Sequence, residues 1–78
     1  MRIASLNVNG LNNVIKRGKV MVKIKKEKIK VIYLQETYLT QQEHDKLRKF
    51  GFKNTFSSSF KKGPKRGVAI LISNSVNF

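Results

Sequence analysis

The chain has 78 residues, no cysteine, and 17 Lys and Arg against four Asp and Glu, which gives a formal net charge of +13. This length allows one small domain, and the lack of cysteine excludes disulfides and thiolate zinc sites as sources of stability. No apolar run reaches the roughly 20 residues that span a bilayer, and the start of the chain lacks the apolar core of a signal peptide. We therefore expect a soluble, intracellular protein.

The excess of positive charge predicts a polyanionic partner. Nucleic acid is the first expectation, and an anionic membrane surface is the second. A solvated Lys-rich surface that has no partner is the alternative.

The first predicted element is a strand over residues 2–8, where apolar and β-branched residues predominate. The sequence Asn7-Val8-Asn9-Gly10 then indicates a turn. On an extended segment the amides of Asn7 and Asn9 would point the same way, and such a pair can bind phosphate oxygens or orient a carboxylate. Ordinary turn chemistry is the simpler explanation of the same residues.

A basic amphipathic helix is predicted next, over residues 14–28, with Asn12-Asn13 as its amino-terminal cap. Its apolar face contains Val20, Met21 and Ile24. Its moderate hydrophobicity favours packing within a soluble protein over lying on a membrane. The opposite face is expected to carry the cations Lys16, Arg17, Lys19, Lys23, Lys25, Lys26 and Lys28.

The second predicted strand spans residues 31–37. Four consecutive apolar or aromatic residues begin it, which predicts burial on both faces. Glu36 lies at its carboxyl end, where α/β architectures commonly place ligands. A carboxylate among so many cations suits a divalent cation together with a phosphate. The alternative is a charged residue that merely ends a strand.

A second helix is predicted over residues 41–49, because Thr40 and Glu43 have the spacing of a capping box and Gly51 suits a left-handed carboxyl-terminal stop. His44 lies on this helix without a second histidine or a carboxylate at metal-ligand spacing. We expect it to be a surface or half-buried residue with no chemical role.

The last third of the chain predicts a strand over residues 52–56, a polar loop over 57–66 and a strand over 67–73 that is buried on both faces. Hydroxyls, backbone amides and cations make the loop a candidate for phosphate contacts, although such a loop is equally at home in solvent. Its four cations are Lys61, Lys62, Lys65 and Arg66.

Three short motifs occur in a characteristic order: Asn7-Val8-Asn9-Gly10-Leu11-Asn12, Gln35-Glu36-Thr37 and Gly67-Val68-Ala69-Ile70-Leu71. The series resembles the amino-terminal part of the endonuclease/exonuclease/phosphatase superfamily. Within that superfamily it is most similar to the endonuclease domain of long interspersed element retrotransposon polyproteins, and apurinic endonucleases and exodeoxyribonuclease III are more distant relatives. The resemblance covers essentially all of the chain but only about the first third of the family's catalytic domain.

The resemblance implies a four-layer α/β sandwich, with two packed sheets and helices outside, that hydrolyses DNA phosphodiesters with Mg²⁺ or, as a substitute, Mn²⁺. It implies that Glu36 is the metal ligand and that Asn7 forms a hydrogen bond in the active centre. Some relatives have Asp at the position of Asn9. Because Asn lacks the negative charge of Asp, Asn9 would be a weaker second metal contact. Arg17 and the four loop cations are assigned to nucleic-acid binding. The expected partner is DNA, the expected compartment is the nucleus, and neither a membrane nor a small-molecule cofactor is expected.

The departures from the family pattern predict loss of activity. The family's general base, its histidine partner, a tyrosine and an Asp-x-Asn pair all come later in the domain, and a proline that relatives often carry before the Glu-bearing strand is absent here. We therefore expect residues 1–78 to be an amino-terminal fragment of one such domain, a degenerate retroelement remnant that is inactive alone. The alternative hypothesis is a non-enzymatic basic protein that binds nucleic acid. A third hypothesis is that the chain has no function and is degraded.

Overall fold

The computed structural model describes residues 1–58 and 67–77. Within these residues the chain forms four strands, β1 (Arg2–Asn7), β2 (Ile29–Gln35), β3 (Asn54–Ser58) and β4 (Val68–Ile72). It also forms two α-helices, α1 (Val14–Lys26) and α2 (Gln41–Asp45), and a 3-10 helix (Lys46–Phe50). The protein therefore belongs to the mixed α/β class.

The four strands form one sheet in the order β1-β2-β4-β3. β1 and β2 are parallel and are connected through α1, whereas β4 is antiparallel to both of its neighbours. The carboxyl ends of β1 and β2 consequently lie at the same edge of the sheet as the amino end of β4. Polar side chains that follow β1 and β2 are brought together at this edge.

The strand boundaries differ from the predicted ones by one or two residues. β2 begins at Ile29, because Ile29 already pairs with Arg2 of β1. β2 ends before Glu36, because Glu36 adopts a left-handed backbone conformation with φ 54° that cannot continue a strand. β3 lies two residues later than predicted, and β1 and β4 are slightly shorter.

Helix α1 begins where the sequence predicts and ends earlier. The side chain of Asn13 caps it by accepting a hydrogen bond of 3.0 Å from the backbone N–H of Lys16. The predicted end at Lys28 is wrong, since α1 ends at Lys26 and Lys28 has a left-handed φ of 56°.

The buried face of α1 is formed by Arg17, Met21 and Ile24, which have helical spacing. The prediction that Arg17 lies on the opposite, solvated face is therefore wrong. An arginine can occupy such a position because its long aliphatic stem packs against apolar neighbours while its guanidinium finds polar partners.

The second helical segment carries the predicted capping box. Thr40 accepts a hydrogen bond from the backbone N–H of Glu43, and Glu43 accepts one from the backbone N–H of Thr40. After one turn of α-helix the chain tightens into the 3-10 helix, whereas one continuous helix was predicted. Gly51 ends the segment with a left-handed φ of 97°, which confirms the predicted stop.

The hydrophobic core lies on one face of the sheet. Side chains alternate between the two faces of a strand, and the covered face includes Ile32, Leu34, Ala69 and Leu71, all buried. α1, the 3-10 helix and the connecting segments cover this face with Leu11, Met21, Ile24, Leu47 and Phe52.

The other face of the sheet is open. Tyr33, Ile70 and Phe56 share one row across β2, β4 and β3 and are 38%, 42% and 57% exposed, and Ile3 on β1 is 69% exposed. The prediction that β2 and β4 are buried on both faces is therefore wrong. In the described part of the chain, no helix is long and apolar enough to cross a bilayer.

Candidate functional site

The candidate site lies where β1 and β2 end side by side. Asn7 is the last residue of β1 and pairs with Gln35, the last residue of β2. The turn follows Asn7, and Glu36 follows Gln35 directly. The Nδ2 amide of Asn7 donates a hydrogen bond to Oε2 of Glu36. The Asn7 side chain is exposed and Glu36 is partly buried, so the pair borders solvent. Carboxyl ends of adjacent strands are a common place for ligands in α/β proteins.

Backbone hydrogen bonds extend the pairing of these two segments beyond the strands. The N–H groups of Val8, Gly10 and Leu11 donate to the carbonyl oxygens of Gln35, Glu36 and Thr37 at 3.0, 2.7 and 2.8 Å. The site is thus built on two chain segments that fix each other in register.

Asn9 does not project alongside Asn7 from an extended segment. Its backbone is left-handed, with φ 49°, and its N–H donates to Oδ1 of Asn7 at 3.1 Å. The amide of Asn7 therefore accepts from Asn9 and donates to Glu36 at the same time. This double contact fixes which end of the Asn7 amide faces the carboxylate.

One cation near the site was not singled out from the sequence. Nζ of Lys16 donates to the carbonyl oxygen of Asn9 at 3.2 Å, which brings a positive charge beside the turn. The available signal was the predicted cap at Asn12-Asn13, because a residue in the first turn of the helix lies next to the segment that leads into it.

Arg17, in contrast, is buried away from solvent and is 7% exposed. Its Nε donates to the carbonyl oxygen of Leu11 at 2.9 Å, and its Nη2 lies 3.4 Å from Oε2 of Glu43. The predicted nucleic-acid contact of Arg17 is corrected to a structural one, since the guanidinium ties α1 to the cap of α2.

The pKa of the Glu43 carboxyl is lowered by its neighbours Thr40 and Arg17. The backbone hydrogen bond from Thr40 lowers the pKa of the Glu43 carboxyl, burial opposes this, and the Arg17 charge lowers the pKa further. The carboxylate that caps α2 is thereby held in its ionised form.

His44 is fully buried, which corrects the expectation of a surface or half-buried residue. Its Nε2 lies 2.7 Å from the hydroxyl oxygen of Thr37, which is itself fully buried and follows Glu36. Burial lowers the pKa of the imidazole, while a hydrogen bond with the Thr40 backbone and the charges of Glu43 and Asp45 act in the opposite direction. The sequence offered no signal for this contact, because Thr37 belongs to a different segment.

The remaining predicted site residues, Lys61, Lys62, Lys65 and Arg66, lie outside the described residues. The residues that border them are described. Ser58 and Val68 pair with each other, and the carbonyl oxygen of Gly67 accepts from the N–H of Thr37 at 2.9 Å. The chain therefore enters β4 beside the Asn7–Glu36 pair.

The donor set of the site consists of the Glu36 carboxylate, because the side-chain oxygen of Asn7 already accepts from the N–H of Asn9. No group of three or more His, Cys, Asp or Glu that could hold a metal ion occurs among residues 1–58 and 67–77. A single carboxylate nevertheless fits Mg²⁺, which prefers oxygen ligands, keeps several waters and is often bound through one or two carboxylates.

A comparison of the chain with models of known protein families finds no match. The class that the structure defines is a mixed α/β protein with a polar site at the ends of two parallel strands.

Proposed function

We propose that this chain is the amino-terminal part of a Mg²⁺-dependent DNA phosphodiesterase of the endonuclease/exonuclease/phosphatase type. The observation that carries the proposal is the hydrogen bond from Asn7 to Glu36 at the ends of two adjacent parallel strands. An amide that orients a carboxylate at a solvent border is the arrangement expected around an oxygen-ligated cation.

In this proposal Glu36 holds the metal ion and Asn7 orients the Glu36 carboxylate. Bound Mg²⁺ supplies a Lewis acid at the scissile phosphate. The side chain of Asn9 is neutral, so it adds less to the binding of the ion than an aspartate would. Lys16, beside the carbonyl oxygen of Asn9, contributes positive charge that favours an approaching phosphate.

The proposed fold is one sheet of a two-sheet α/β sandwich. Support comes from the open face of the sheet, where Ile3, Tyr33, Phe56 and Ile70 are exposed. Apolar side chains on one face of a sheet normally pack against another layer. In the proposed complete domain, the second sheet covers this face.

We further propose that the chain does not cleave DNA by itself. Phosphodiester hydrolysis needs a base that activates water, and the family carries that base beyond the segment that this chain resembles. The one histidine of the chain does not replace it, because His44 is buried against Thr37. The proposed partner is DNA, and the proposed compartment is the nucleus.

The metal site is tested by NMR of the full chain during titration with Mn²⁺, which broadens signals of nearby amides. The amides of Asn7 and Glu36 are expected to broaden first, and Mg²⁺ is expected to compete. Glu36→Gln should abolish this selective broadening, whereas Asp45→Asn, which removes an exposed carboxylate on α2, should leave it unchanged. Equal broadening in wild type and Glu36→Gln would overturn the proposed site.

Activity is tested by incubating the chain with supercoiled plasmid DNA and Mg²⁺. No nicking above the level of Glu36→Gln is expected. Mg²⁺-dependent nicking that is lost in Glu36→Gln would support the phosphodiesterase class but would show that the chain needs no further segment.

A second candidate function is non-enzymatic binding to nucleic acid. The observation that favours it is that five lysines of α1 are exposed: Lys16, Lys19, Lys23, Lys25 and Lys26. This function requires neither Mg²⁺ nor Glu36. It predicts that log affinity for duplex DNA falls with log salt at a slope of about −0.9 per neutralised phosphate, equally in wild type and Glu36→Gln. Affinity that depends on Mg²⁺ and on Glu36 would favour the first proposal.

A further inference from the structure

Thr37 connects three segments of the chain around the candidate site. Its carbonyl oxygen accepts from the N–H of Leu11 at 2.8 Å, and its own N–H donates to the carbonyl oxygen of Gly67 at 2.9 Å. Its hydroxyl oxygen lies 2.7 Å from Nε2 of His44. One residue thus joins the turn after β1, the start of β4 and helix α2.

The space around this contact is filled. A Cβ atom added to Gly67 would lie 2.5 Å from Oγ1 of Thr37 and 2.9 Å from Cε1 of His44. Real Cβ atoms do not approach other atoms so closely, so there is no room for a side chain at position 67 beside the hydroxyl and the imidazole. Thr37 and His44 are both 0% exposed. The Thr37–His44 contact is therefore buried and closely packed.

The residues on either side of Thr37 have unfavourable backbone conformations. Glu36 and Tyr38 are left-handed, with φ 54° and 55°. A left-handed conformation costs a residue other than glycine about 1 kcal/mol or more and persists only where the surroundings hold it. The Glu36 backbone is held on one side by its own hydrogen bond, in which its carbonyl oxygen accepts from the N–H of Gly10 at 2.7 Å. On the other side it is held through the contacts of Thr37, the next residue in the chain.

We propose that His44 is a positioning residue that sets the orientation of the Glu36 carboxylate through its hydrogen bond with Thr37. This inference rests on the proposed function, since it assigns His44 a part in metal binding at Glu36. It gives the buried histidine a role that its own position on α2 does not suggest. His44 itself does not contact the metal ion.

Two apolar variants test the proposal. Thr37→Val removes the hydroxyl at constant shape, and His44→Leu removes the imidazole. Both are expected to weaken the Mn²⁺-induced broadening at Glu36, with roughly tenfold lower affinity, as is usual when a group that orients a metal ligand is removed. Thr37→Ser keeps the hydroxyl and is expected to bind Mn²⁺ within about threefold of wild type. Wild-type affinity in folded Thr37→Val and His44→Leu would overturn the proposal.

Two polar variants of His44 distinguish positioning of Glu36 from a contribution to stability alone. They also test the proposal if an apolar variant does not fold. The amide of Gln at position 44 reaches the place of Nε2, whereas the shorter Asn does not. His44→Gln is expected to retain Mn²⁺ affinity and His44→Asn to lose it, even where urea denaturation gives both the same stability. Equal affinities in these two variants would contradict the inference.

A readout without metal distinguishes failure of this inference from failure of the proposed function. The N–H of Gly10 donates to the carbonyl oxygen of Glu36 at 2.7 Å, so its hydrogen exchange reports on the Glu36 backbone. If wild type does not bind Mn²⁺ at Glu36, the proposed function fails. Faster exchange of the Gly10 amide in His44→Asn than in His44→Gln then still supports positioning of Glu36 by His44, and equal exchange rejects it.

Discussion

The Nδ2 amide of Asn7 donates a hydrogen bond to the Glu36 carboxylate, although the two residues are 29 positions apart in sequence. The contact exists because β1 and β2 are parallel neighbours that end together. It joins the two residues to which the proposed function gives the principal roles. It also makes Asn7 the first position at which that function can be probed without removing charge.

Asn7→Ala should weaken metal binding while Glu36 is retained. Groups that orient a ligating carboxylate typically change metal affinity by at least roughly tenfold when they are removed, and we expect a loss of that size for Mn²⁺. The measurement is the NMR titration described above. Asn77→Ala, at an exposed asparagine after the last strand, is the control and should bind like wild type. Unchanged affinity in Asn7→Ala would show that the Asn7–Glu36 hydrogen bond has no part in metal binding.

Arg17→Met should destabilise the fold by about 2 kcal/mol, because it leaves the buried carbonyl of Leu11 and the carboxylate of Glu43 without their shared donor. Urea denaturation measures this change in the free energy of unfolding. Lys19→Met, at an exposed position of the same helix, is the matched control and should change stability by less than about 0.5 kcal/mol. Comparable losses in the two variants would mean that the buried contacts of Arg17 contribute little.

Stability should fall as the solution is acidified below about pH 6.5, the ordinary pKa of histidine. Burial holds the pKa of His44 below that value in the folded chain, so the unfolded chain binds the proton more readily. The stabilising contribution is therefore complete above pH 6.5 and is lost as pH falls toward the lowered pKa of the folded state.

The measurement is urea denaturation at pH 7.5 and pH 5.5. His44→Gln is the control, because it removes the only histidine of the chain, and its stability should vary less between these two conditions. The same pH dependence in wild type and His44→Gln would assign the effect to other groups.

The two faces of β4 should differ in how much stability a polar substitution costs. Leu71→Thr, on the covered face, is expected to cost about 3 kcal/mol of stability. Ile70→Thr, on the open face, is expected to cost less than about 1 kcal/mol and to reduce binding of the dye ANS to the exposed apolar row. A large loss of stability in Ile70→Thr would show that the open face is covered in solution, for example by a second copy of the chain.

Two glycines should respond with opposite signs to substitution by alanine. Gly18 lies inside α1, and a Cβ there would have open space around it, so Gly18→Ala should stabilise the protein by about 0.5–1 kcal/mol. Gly67→Ala should destabilise it by about 2 kcal/mol or more, since the new methyl group would overlap Thr37 and His44. Urea denaturation of both variants tests the pair, and a stabilised Gly67→Ala would refute the close packing at Thr37.

Local signals in the sequence predicted local structure well. The cap at Asn13, the Thr40–Glu43 capping box and the stop at Gly51 all depend on residues within a few positions of one another. Each follows from hydrogen-bonding groups that a helix end must satisfy. All three predictions are confirmed, because none of these features depends on the rest of the fold.

Features that depend on distant partners were missed. Arg17 was assigned to the solvated face, because the helical pattern cannot reveal Glu43, which is 26 positions away. His44 was expected near the surface for the same reason. An apolar run such as residues 31–34 indicates a strand but does not tell how many of its faces another layer covers. The proximity of Asn7 and Glu36 could be predicted from strand ends, whereas their roles stay predictions.

The strand order has a consequence for folding during synthesis. β1 and β2 can pair as soon as α1 and β2 have left the ribosome, but β3 lies at the sheet edge and its neighbour is β4, which is made later. At ordinary translation rates β3 waits on the order of a second for β4. During this interval the unpaired edge of β3 is accessible to chaperones, so a nascent chain stalled with β3 outside the ribosome and β4 still inside the exit tunnel should be recognised by them.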